Sequence, residues 1–130
     1  TAEYKDLSKD GCGAYRKGDS HKGQIIWKTK SGKFKVEPIY AHSSRAKVSK
    51  ELMKKPEFDS IAGIFRTGCL VEFKNDVMND KDEFLLERGI YSLNTIRSDG
   101  MMKCTTSNGI PSKPININYF MEAGMRCVIL

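Results

Sequence analysis

Several things are missing from this chain. No stretch approaches the length of a membrane span, and no internal repeat, low-complexity tract or linker composition interrupts it. The first absence argues against membrane insertion by a spanning helix. The others leave a single domain over residues 1–130, long enough to bury a core without a cofactor. None of the four cysteines, Cys12, Cys69, Cys104 and Cys127, stands in a CxxC pair. A zinc site of the usual spacing is therefore not expected, and no metal is assigned. An even count spread along the chain allows two disulfides in three connectivities. A bridge from Cys12 to Cys127 or Cys104 would close a long loop and stabilise by roughly 3–5 kcal/mol in the chain-entropy picture. Cys69, in Gly68-Cys69-Leu70-Val71, reads as a buried strand thiol. An initiating methionine is also missing: the opening Thr1-Ala2-Glu3-Tyr4-Lys5-Asp6 is polar, as in a chain whose leader has been removed or in a cloned fragment. Secretion is the expected setting.

What is present is ordinary in amount and uneven in placement. Apolar residues make up 39% and charged residues 29%, the proportions of a soluble globular protein. The net charge is +6 with a pI near 9.2. Lysines supply most of the positive charge, in Lys28/Lys30/Lys33/Lys35 and Lys47/Lys50/Lys54/Lys55, while acids gather in Asp76 and in Asp80-Lys81-Asp82-Glu83. The plain reading of the lysines is a solvated surface; the functional one is a face for phosphates, nucleic acid or an acidic membrane. The terminal Cys127-Val128-Ile129-Leu130 has the form of a prenylation signal. The segment before it is not basic, and a terminal apolar strand accounts for it equally well.

Periodicity predicts an α+β domain of short strands with one or two short helices, its antiparallel sheets split around a cleft. Residues 24–30 and 33–40 alternate about a Ser31-Gly32 turn and read as a hairpin, with Pro38 marking an edge or interruption. Residues 43–53 read as a serine-capped helix, stopped by Pro56. Residues 58–65 suggest a second short helix or turn. Strands are expected at 69–73, 84–86, 90–96, 115–120 and 126–130, with a polar loop over 75–82 and a tight turn at Ser98-Asp99-Gly100.

Three short segments carry chemistry. Tyr15-Arg16 places a guanidinium, which grips pyrophosphate bidentately as an ammonium does not. Tyr40-Ala41-His42-Ser43-Ser44 puts hydroxyls at a strand-to-helix junction, where free N–H groups favour anions. Glu83, ahead of Phe84-Leu85-Leu86, sets a carboxylate where it can stabilise positive charge growing on a ribose. In this order the three segments resemble the ADP-ribosyltransferase superfamily, in particular its cholera-like and clostridial-like toxin branch and its NAD-degrading toxins. The resemblance spans about residues 14–96. It implies a secreted toxin or virulence effector that takes NAD as substrate, as a mono-ADP-ribosyltransferase or NAD glycohydrolase. Arg16 would hold the phosphates, Ser43 and Ser44 would shape the nicotinamide-ribose site, Tyr40 or Tyr91 would stack on a ring, and Glu83 would be the catalytic carboxylate. His42 replaces the first residue of the family's Ser-Thr-Ser pattern. Lys81 stands where arginine-modifying members carry Glu or Gln, so arginine is not the implied acceptor.

Two other classes stand beside this one. A secreted ribonuclease would use Glu37, His42 and Arg45, with His21 as a second imidazole, for proton transfer around a phosphate. A non-catalytic effector would hold a host macromolecule, protein or RNA, through its lysine face and strand edges, acting as a monomer inside a host cell after secretion.

Overall fold

The computed structural model describes residues 23–39, 45–94, 96–97 and 99–128. Among them are eleven strands and two helices, the strands forming four open antiparallel sheets. The α+β architecture with split antiparallel sheets is therefore the one the periodicity predicts.

Strands β1 (Gly23–Thr29) and β2 (Phe34–Ile39) form the expected hairpin. Its tip closes through Thr29 N–H to the Lys33 carbonyl at 2.8 Å, and Gly32, at φ +89°, takes the left-handed conformation the short loop demands. The chain continues through helix α1 (Arg45–Met53), with Val48 and Leu52 turned inward and Met53 exposed, into β3 (Phe58–Arg66). The sheet order is β2-β1-β3, so β2 is an edge strand and Pro38, which has no N–H to give, sits where an edge tolerates it.

The strand β3 corrects the helix or turn expected over 58–65. It pairs with β1 along its whole length, but the register slips twice: Ile26 faces Gly63 while Trp27 faces Ile61, and Lys28 faces Ser60 while Thr29 faces Phe58. Ala62 and Asp59 are the extra residues of two bulges. Each bulge adds one position between inward side chains, so Phe58, Ile61 and Ile64 recur every three residues and still pack on one face. That spacing imitates a helix.

Beyond β3, a four-stranded sheet of order β11-β4-β7-β9 is built from β4 (Leu70–Phe73), β7 (Gly89–Leu93), β9 (Cys104–Thr105) and β11 (Arg126–Cys127). A small hairpin joins β5 (Val77–Met78) to β6 (Phe84–Leu86), so the segment 75–82 is not wholly loop. The pair β8 (Met101–Met102) and β10 (Ile115–Asn116) completes the set. The strand expected over 115–120 stops after Asn116 and becomes helix α2 (Ile117–Glu122). Asn116 caps it, its side chain accepting from Asn118 N–H at 2.9 Å, and Ile117 and Phe120, three apart, turn inward.

The three-stranded sheet has two buried faces. On one, Ile25, Trp27, Ile39 and Ile64 pack against Leu52 of α1. On the other, Ile26 and Phe65 join the main core with Val71, Phe73, Leu93, Met102, Ile115 and Phe120. Phe73 and Phe120 stack at 5.0 Å at its centre.

Candidate binding cleft and basic face

Cross-strand pairing sets Lys35 opposite Trp27. Both side chains leave the sheet on the α1 side, and the Lys35 ammonium lies 5.8 Å from the indole centroid. Lys55, from the turn after α1, reaches the same ring at 5.8 Å and bonds Glu37 at 3.3 Å. Phe58 packs against the ring with centroids 6.0 Å apart, tilted by 34°. The indole is thus buried beneath two lysine stems, an arrangement stabilised by cation–π attraction. Its Nε1–H has no hydrogen-bond partner among the described residues.

Beside this cluster a cleft of about 380 Å³ runs between β2 and the β10–α2 junction, with Trp27, Lys35, Val36, Glu37, Lys55 and Ile117 among its walls. Asn118 forms one end: its Oδ1 accepts from Phe34 N–H at 2.8 Å and its Nδ2 donates to the Phe34 carbonyl at 3.4 Å. A single side chain thereby replaces a neighbouring strand at that point of the β2 edge.

Charge is divided between regions of the chain. Residues 23–69 carry ten basic side chains and four acidic ones, a net +6; residues 70–93 carry three basic and six acidic, a net −3. Lys30, Lys33, Lys50 and Lys54 are exposed on the hairpin tip, on α1 and just after it. Asp76, Asp80, Asp82, Glu83 and Glu87 are exposed on or beside the β5–β6 hairpin, while Glu72 on β4 pairs with Arg126.

Glu83 does stand immediately before a short apolar strand. It is exposed at the tip of the β5–β6 hairpin, where its Oε1 accepts from Asn79 Nδ2 at 3.2 Å and its N–H reaches Asn79 Oδ1 at 2.9 Å. Tyr91 is half-buried against Phe73 at 5.6 Å and donates its hydroxyl to the Glu87 carbonyl at 2.7 Å. Burial, with the Glu87 carboxylate second, raises its pKa. Neither residue is among the walls of the cleft. Arg16, Tyr40, Ser43 and Ser44 lie outside the described residues, as do His21, His42 and the Arg45 side chain. Glu37, the remaining ribonuclease candidate, is engaged with Lys55.

Cys69 and Cys104 are free thiols, which excludes the two-bridge arrangements and a Cys12–Cys104 bridge. Burial pushes the Cys69 thiol up to about 11 and the Cys104 thiol up to about 12. Neither supplies a thiolate nucleophile near neutral pH. No group of histidine, cysteine and carboxylate ligands suited to a metal occurs among the described residues, and no described helix is long and apolar enough to cross a membrane.

Sequence reasoning missed the cleft. The lone tryptophan and Lys35 were legible as strand residues, but their partners Lys55 and Asn118 come from distant segments with no local signature. Comparison with protein-family models, with curated proteins and with solved structures finds no match for this chain.

Proposed function

We propose that this domain is a binding module whose basic face engages a polyanionic macromolecule, with RNA as the favoured class. The carrying observation is the charge division: residues 23–69 hold a net +6, while the compensating acids sit around the β5–β6 hairpin. Exposed lysines on one rigid hairpin and one packed helix suit contact with phosphates, which contributes affinity without sequence reading. The test is fluorescence anisotropy of a labelled single-stranded RNA over a range of salt. Replacing Lys33, Lys50 and Lys54 together by Ala should weaken binding at least tenfold and lower the salt slope by about 2, at roughly 0.7 for each phosphate no longer neutralised. Parent-like affinity and slope in that variant would overturn the reading. Preference for an acidic protein over RNA would move the module to another partner class.

A second reading, NAD cleavage, rests on the sequence resemblance and on one feature of the described residues. Glu83 is held by Asn79 while remaining exposed, as a carboxylate awaiting a ribose would be. Glu83→Gln should then abolish NAD turnover with the melting temperature unchanged; full turnover by that variant removes the assignment.

A further inference from the structure

Among the described residues, the charged groups around the Trp27 cleft pair off except for one. Lys55 pairs with Glu37 at 3.3 Å, and Asp99, another wall residue, pairs with Arg97 at 2.8 Å. Lys35 meets no carboxylate among the described residues, so one positive charge remains beside the indole. The Trp27 Nε1–H, which can only donate, is buried without an acceptor among those residues. Buried donors of that kind are rare in native proteins and call for a partner, a water or a bound acceptor. A third donor comes from the backbone. Lys33 faces Thr29 and the Phe34 amide turns out to Asn118, so alternation along β2 turns the Val36 N–H and carbonyl outward on the same edge. Phe34, Val36 and Ile117 supply apolar wall.

We infer that this cleft binds a small organic monocarboxylate. One carboxylate oxygen takes the Lys35 ammonium and the other takes the Trp27 indole N–H, while the ligand's carbon body lies on Val36 and Ile117. The single uncompensated cation matches one negative charge. A dianion such as a phosphate monoester would bring a second negative charge that only the already paired Lys55 or Arg97 could meet, at the expense of its bond to Glu37 or Asp99. A volume of about 380 Å³ lies in the range of small-molecule sites. Entry requires the Lys35 ammonium to swing from the ring face to the incoming carboxylate, a rotamer change rather than a backbone movement. The site is independent of the polyanion reading, since Lys33, Lys50 and Lys54 do not line the cleft.

Trp27 is the only tryptophan, so its emission reports on the cleft directly. The intact chain is titrated with benzoate, hexanoate and lactate, with benzamide as the neutral isostere of benzoate and inorganic phosphate as the multiply charged anion. The expected result is a saturable emission change with at least one carboxylate, half-complete at or below about 1 mM, and none with benzamide or phosphate over that range. Lys35→Met, which keeps the stem and removes the charge, should weaken that carboxylate at least tenfold, about 1.4 kcal/mol, with unchanged circular dichroism. Lys81→Met, in the distant β5–β6 loop, should bind as the parent does. The proposal is overturned if no carboxylate saturates below about 10 mM, or if benzamide or phosphate titrates as well as the carboxylates. Parent-like binding by a folded Lys35→Met does the same. Should that variant not fold, the contrast between benzoate and benzamide in the parent chain decides alone.

Discussion

Two of the described residues are buried with polar atoms left over, and their consequences differ. Trp27 keeps a donor beside a cleft. Gln24, on the opposite face of β1, keeps an acceptor, Oε1, beside the main core with no partner among the described residues. An unsatisfied buried amide costs about 1–3 kcal/mol, and methionine has a similar shape without that cost. Gln24→Met should therefore raise stability by about 1 kcal/mol, read as a higher urea midpoint at unchanged slope. The thiols set a pH limit. In the unfolded chain they ionise near 9; in the folded chain burial delays this to about 11 for Cys69 and about 12 for Cys104, where a Cys69 thiolate would add repulsion. Below pH 9 both states hold the protons and nothing is lost. Above it the unfolded chain releases protons that the folded chain retains, so stability falls continuously until the folded thiols ionise. Urea midpoints measured at about pH 8 and about pH 10 should show the drop, and Cys104→Ala should lessen it relative to its own starting value.

Elements were legible wherever one period governed a segment. The β1–β2 hairpin alternates cleanly, carries its turn residues at Ser31-Gly32, and folds as read. Legibility failed where a local device changed the period. The two bulges in β3 spaced its inward residues like a helix, and no residue within 58–66 announces that β1 will impose them. Residues 115–120 alternate in letters, yet Asn116 is a helix cap, and the cap overrides the alternation. Asn118 matters to a neighbouring element more than to its own helix, because it supplies both partners for the Phe34 backbone on the β2 edge. Asn118→Ala should leave that half-buried amide unpaired and cost about 1–2 kcal/mol by urea denaturation. Hydrogen exchange at Phe34 should quicken more than at Lys35, whose amide faces β1.

At the scale of the whole molecule, the fold class was readable and the cleft was not. Class follows from many short alternating segments, each a local signal. A cleft depends on which distant segments become neighbours: Lys55 after a helix, Asn118 on another, and Lys35 on an edge strand meet only because β2 lies outermost in its sheet. The same holds for Glu83. Its place before a strand was visible, but its exposure at a hairpin tip is set by the Asn79 side chain and the turn it holds.

The layering has an electrical consequence. α1 and its lysines cover one face of the three-stranded sheet, whose other face joins the core shared with the four-stranded sheet, while the acids ring the small β5–β6 hairpin. Among the described residues, the exposed lysines and these acids therefore stand on different elements. A negatively charged surface would be drawn to the lysines of α1 and the hairpin tip rather than to the acids around the β5–β6 hairpin, and added salt would screen that attraction.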